Sequence, residues 1–163
     1  MSIVMELHPN LQPFAFLLGS WAGDGRGFYP TIKDFSYSET VTFTAAAGKP
    51  FFRYEQKSRG ANGPMHTEVG FLRPVGEGNL ELVIAQPTGQ TELLAGKAQQ
   101  GGRVLEFGQS SVVNTATAKH VDTTRRIYTF NDDFSVLSTR FDMGAVGQPL
   151  QQHLASELSQ QDS

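Results

Sequence analysis

In Phe35-Ser36-Tyr37-Ser38-Glu39-Thr40-Val41-Thr42-Phe43-Thr44 the odd positions are mostly bulky or apolar and the even ones small and hydroxylic. Successive side chains of extended backbone point to opposite sides, so a period of two marks a strand with one buried face. Similar segments follow at Pro50–Ser58, Met65–Arg73, Leu80–Gln86, Thr91–Lys97, Val104–Gln109, Thr117–Phe130 and Val136–Met143. Between them lie turn formers such as Gly60-Ala61-Asn62-Gly63-Pro64, Gln86-Pro87-Thr88-Gly89 and Asn131-Asp132-Asp133, which supply the positive or fixed φ that a reversal needs. The connections are short and even, so neighbouring strands run antiparallel. The Gly-rich segment Trp21–Tyr29 adds one or two strands, for about nine or ten in all. A sheet that wide leaves unpaired edges unless it closes, and about ten strands in a ring leave an interior that side chains alone do not fill.

Two segments read as helical. Leu11–Leu18 is apolar, with Pro13 early and Gly19 after it, the punctuation of a short helix packed on the sheet. Near the other end Leu150, His153, Leu154, Glu157 and Leu158 recur at helical spacing, so Pro149 is expected to open a final short helix with His153 on its inward stripe. The fold class expected is all-β: a closed antiparallel barrel of about ten strands with short N- and C-terminal helices. With no linker, repeat or low-complexity tract, residues 1–163 are expected to form one domain.

Composition narrows the chemistry. The chain has no cysteine, which removes disulfides, zinc thiolates, iron–sulfur clusters, thiolate-ligated haem and covalently attached c-type haem. A formal net charge of −3, with no basic run longer than Arg125-Arg126, makes nucleic acid and anionic membranes poor partners. The N-terminus lacks a basic and apolar leader, and no stretch approaches the ~18 apolar residues of a span, so a cytoplasmic protein is expected. Gly19-Ser20-Trp21-Ala22-Gly23-Asp24-Gly25 is not a dinucleotide fingerprint, because a helix precedes it and a strand follows. Its alternating glycines suit a strand bending at a barrel end, with Trp21 closing the bottom. No Gly-x-Ser-x-Gly elbow is present.

Of the four histidines, His8 reads as a solvated loop residue and His120 as a surface or rim residue. His66 alternates with Glu68, Gly70 and Leu72; if that face turns inward, His66 and Glu68 form a polar pair inside the barrel. His153, on an apolar stripe, reads either as a buried histidine satisfied by a carbonyl or as a single axial ligand to haem. No His-x-x-x-His or His-x-His pair supports a multi-histidine metal site.

The seven-residue glycine segment also matches the GxWxGxG signature of the nitrobindin family. The match continues through Phe28-Tyr29-Pro30-Thr31-Ile32, Gly48-Lys49-Pro50-Phe51, Pro64–Phe71, Ile84–Gly89, Thr115–Lys119 and Met143–Leu154, in order and over nearly the whole chain. The chain therefore resembles that family. The resemblance implies a ten-stranded barrel, similar in shape to fatty-acid-binding proteins, holding one noncovalent b-type haem with His153 as the axial iron ligand. It places Thr31 and Lys119 at haem contacts near the propionates, and Met65, His66, Gln86 and Met143 in the pocket lining. It implies peroxynitrite isomerase activity on ferric haem, converting peroxynitrite to nitrate, and binding of NO at the open axial position. A homodimer is also compatible with it. The sequence departs from the expected pattern at His120, where an acidic residue is expected after the lysine. A competing reading is a non-catalytic carrier of a fatty acid or other small apolar ligand in the same cavity.

Overall fold

The computed structural model describes residues 6–161, so Met1 to Met5, on which the reading of the N-terminus partly rests, lie outside the described residues. Ten strands, β1 Gly19–Tyr29, β2 Ile32–Ala45, β3 Phe52–Gly60, β4 Gly63–Gly76, β5 Asn79–Ala85, β6 Gln90–Gln99, β7 Val104–Asn114, β8 Val121–Phe130, β9 Val136–Ala145 and β10 Gln151–Gln160, follow one another around a closed antiparallel barrel. A short 3-10 helix, Gln12–Leu17, precedes β1. Among the described residues no helix is long and apolar enough to cross a membrane.

The alternation read in β2 is the alternation observed: Tyr37, Glu39, Val41 and Phe43 are buried, and Ser36, Ser38 and Thr40 face out. One member of that buried row is a carboxylate. At one end of the barrel Leu11, Phe14 and Leu17 of the helical segment close over Trp21, whose Nε1 donates to the Leu17 carbonyl at 3.0 Å. Trp21 also meets Phe130 edge-to-face, with ring centroids 5.4 Å apart. This end is a filled apolar core. The hairpins β1–β2, β3–β4, β5–β6, β7–β8 and β9–β10 all turn at the opposite end, which is open.

The glycines of β1 make room for its neighbours. A Cβ at Gly23 would collide with the Glu157 carbonyl of β10, and one at Gly25 or Gly27 with the Tyr37 or Phe35 ring of β2. Side-chain volume is thus moved from β1 to the rings of β2.

The C-terminal helix is not formed; Gln151–Gln160 is β10, hydrogen-bonded to β1 and β9, and it closes the barrel. The cause is a bulge: between Gln152 and Leu154 two residues of β10 face one step of β9, leaving His153 as the extra residue. His153 and Leu154 consequently both reach the interior, followed by Ser156 and Leu158 at period two. Two adjacent inward residues preceding an alternating run mimic a helical stripe. Tertiary pairing then outweighs the weak local propensity. The strand expected from Thr117 begins only at Val121, with residues 115–120 in the β7–β8 connection, and Trp21–Tyr29 lies in one strand rather than two. β7 and β8 pair only from Val104 to Phe107; beyond that, Ser110 and Asn114 bridge to Thr124 and Val121 through their side chains.

Candidate functional site: an aromatic slot above a charged floor

The open half of the barrel holds a cavity of about 800 Å³, within the roughly 300–1,000 Å³ of small-molecule sites. The seven residues expected to contact a cofactor, Thr31, Met65, His66, Gln86, Lys119, Met143 and His153, all line it. Each comes from the open-end half of its strand or from a hairpin there. Thr31 and Lys119 are exposed at the rim, in the β1–β2 and β7–β8 connections. Met65 reaches the cavity by the same device as His153: a bulge in β4 between Pro64 and His66 frees it from the strict alternation.

His153 is held by one strong contact. Its Nδ1 lies 2.8 Å from the Phe28 carbonyl, so Nδ1 carries the proton and Nε2 keeps a bare lone pair. Burial pushes its pKa down; the Phe28 hydrogen bond works the other way, and nearby His66 again disfavours a second proton. The ring is framed by Tyr29, Phe35 and Phe141, with centroids at 5.2, 6.4 and 6.1 Å. A neutral imidazole with a free nitrogen and an aromatic surround is what a planar, apolar metal macrocycle requires of a protein. Tyr29 itself is anchored: its hydroxyl accepts from the Ala145 amide at 2.9 Å and lies 3.1 Å from the Met143 carbonyl.

Beneath this slot lies a charged floor. Arg126, only 6% exposed, donates to Glu68 at 2.6 and 3.2 Å and to Glu92 at 2.7 and 3.0 Å. Its guanidinium also sits 4.6 Å from the centre of the Phe141 ring. Glu68 accepts further from Tyr54 at 2.7 Å and more distantly from His66 at 3.4 Å, so the polar pair expected inside the barrel is present. Burial alone would raise the Glu68 pKa, but Arg126 and these hydrogen bonds hold it well below the usual carboxylate range. Tyr54 and Tyr128 beside the floor are pushed up, chiefly by burial. Glu39 accepts from Gln56 at 2.8 Å and from Ser156 at 2.5 Å.

The sequence does not single out Arg126 or Glu92 as site residues. The signal that carries them is alternation: Thr124, Arg126, Tyr128 and Phe130 share one buried face of β8, as Gln90, Glu92 and Leu94 do in β6. The remaining histidines lie elsewhere. His8 caps a turn by accepting from the Asn10 amide at 3.0 Å, and His120 is exposed and paired with Asp122 at 2.6 Å. Asp122 thus supplies an acidic group beside the rim, two positions from where the family pattern leads one to expect it. Among the described residues no group of three or more His, Asp or Glu side chains is arranged to hold a metal ion directly.

Comparison with known proteins gives one consistent result. Residues 10–160 match the family model described as THAP4-like, heme-binding beta-barrel domain. The chain is 47% identical over 160 residues to peroxynitrite isomerase 2 of Mycobacterium avium, covering 96% of this chain and 98% of that one. It is 46% identical over 160 residues to peroxynitrite isomerase 1 of Mycolicibacterium paratuberculosis, with the same coverage. The crystal structure of Rv2717c from M. tuberculosis superposes with a TM-score of 0.88 at 45% identity, covering 96% of this chain and all of that one. The barrel, its aromatic slot and these matches agree: the chain belongs to the nitrobindin family of THAP4-like, haem-binding β-barrel domains.

Proposed function

We propose that this barrel binds a b-type haem through His153 Nε2 and isomerises peroxynitrite to nitrate, the activity for which its relatives are named. The observation that carries the haem assignment is His153 itself, neutral, fixed by Phe28 and presenting a bare nitrogen to an aromatic-walled cavity. A ferric haem held there by His153 would supply the iron chemistry for isomerising peroxynitrite and for binding NO. The protein contributes binding, orientation and exclusion of water. Phe28 and the bulge aim His153 into the cavity. Tyr29, Phe35 and Phe141 form the walls, and Met65 and Met143 add soft apolar surface. Thr31 and Lys119 stand at the rim, where a hydroxyl and an ammonium would hold the haem's carboxylates. Lys119 is exposed, so its charge contributes modestly there.

Carriage of a fatty acid is less well served. A carboxylate reaching the floor meets Glu68 and Glu92 already occupying Arg126, and it has no free cation there. The proposed activity is tested by mixing ferric haem-loaded protein with peroxynitrite and following decay and nitrate yield. The parent accelerates decay with nitrate as product, and His153→Ala returns both to the background rate. Decay unaffected by the loaded parent protein would remove the assignment.

A further inference from the structure

The charged floor takes no part in holding the cofactor as described above, yet it faces the same cavity as His153. Glu39, Glu68 and Glu92 are all buried, Glu92 completely. Every hydrogen bond these side chains make is one they accept: from Gln56 and Ser156; from Tyr54, His66 and Arg126; and from Arg126, Thr124 and Gln86. The Arg126 guanidinium and the Gln56 and Gln86 amide nitrogens can only donate, so the glutamate oxygens that face them accept. Against the three stands one guanidinium, Arg126. Gln56 adds to the imbalance. Its amide nitrogen is committed to Glu39, and among the described residues its buried Oε1 has no partner, so the negative end of that dipole is unopposed there.

The other charges on the lining do not cancel the excess. Lys119 is exposed to solvent at the rim, and Arg140 is committed to Asp142 at 2.8 and 3.3 Å. Burial favours the neutral form of His153 against the opposing pull of its hydrogen bond to Phe28, and His66 turns its Nε2 toward Glu68. The interior beneath the slot therefore carries more negative than positive charge in surroundings that screen poorly. Burying unopposed carboxylates is costly, and an apolar floor would fill the same space without that cost. An iron held by His153 loses one unit of positive charge on reduction, so fixed negative charge beside it favours the oxidised form.

We propose that Glu39, Glu68 and Glu92, balanced by Arg126 alone, poise a haem held by His153 in the ferric state. The inference rests on the haem reading above and assigns the floor a tuning role. The ferric form is the one the proposed isomerisation uses, and the floor protects it against reductants that would convert the protein to a ferrous NO or oxygen binder.

The test is a spectroelectrochemical titration of haem-loaded protein, comparing the parent with Glu39→Gln, Glu92→Gln and the exterior control Asp132→Asn. Asp132 is almost fully exposed and, among the described residues, pairs only with Arg103. Each floor variant is expected to lower the ferric-to-ferrous ratio at a fixed potential by about tenfold, a rise in midpoint of 59 mV for a one-electron couple. The control leaves it unchanged. The Soret band stays where it is in all three, because His153 is untouched. If Glu92→Gln folds poorly, Glu39→Gln, whose side chain has no ion-pair partner among the described residues, decides alone. Midpoints of the floor variants equal to or below the parent's overturn the proposal while leaving haem binding intact. A parent that takes up no haem overturns the haem reading and the tuning role with it.

Discussion

Glu92→Gln is the substitution whose cost the floor geometry sets most directly. Glu92 is completely buried, and its two oxygens accept from Arg126 Nε at 3.0 Å, Arg126 Nη2 at 2.7 Å, Thr124 Oγ1 at 3.0 Å and the Gln86 amide. All of these neighbours are donors. A glutamine keeps the shape but replaces one acceptor by an NH₂ that must face a donor, leaving at least one buried donor unsatisfied at about 1–3 kcal/mol. It also removes the charge assistance from the Arg126 contacts, worth about 1 kcal/mol more. The expected loss is therefore about 2–4 kcal/mol. For a chain of this length that corresponds to roughly 4–16 °C in Tm. Arg73 and Glu81 form a pair at 2.5 Å, but both are about half exposed, and Glu81→Gln is expected to cost under about 1 kcal/mol. Urea unfolding of the apo protein followed by Trp21 fluorescence measures both, since the only tryptophan is fully buried. Equal losses for the two variants would refute the view that burial, rather than contact distance, sets the worth of these pairs.

Four further outcomes rest on the same structure. Gly23→Ala drives a Cβ into the Glu157 carbonyl and against Leu158 Cα, which breaks the closing β1–β10 ladder at roughly 3 kcal/mol or more. Gly108→Ala meets nothing within 4 Å and stays within about 0.5 kcal/mol of the parent by the same unfolding assay. Because the Glu68 pKa is depressed in the folded state, its stabilisation is complete above the ordinary carboxylate range and drains away as pH falls below it. The urea midpoint of the parent should drop between about pH 5 and pH 3 more steeply than that of Glu68→Gln. Trp21→Phe removes the donor to the Leu17 carbonyl and costs about 1–3 kcal/mol, read by far-ultraviolet circular dichroism.

The barrel was legible because most strands alternate, and β2 does so from Phe35 to its end. β10 was not, and the reason is local. The bulge at His153 breaks the period of two at the residue that matters most for function, and Leu150, His153 and Leu154 then fall at helical spacing. The histidine was still identified as inward-facing, although the element carrying it was not. Glu68 and His66 were readable as a pair because they sit on one strand two residues apart. Their partner Arg126 is 58 residues further along. Only the closing of a ten-membered ring sets β8 across from β4, so no local pattern reveals that contact. Glu39 shares the inward row of β2 with apolar residues and was not marked as a site residue by the sequence; the structure makes it part of a buried polar layer.

Addition of haem to apo protein, followed by absorption spectroscopy, tests the assignment of His153 most directly. The parent is expected to develop a Soret band saturating at one equivalent per chain, and His153→Ala to lose it or shift it to that of unligated haem. A parent without a Soret band, or a His153→Ala variant with the parent's spectrum and affinity, would contradict the role assigned to this histidine.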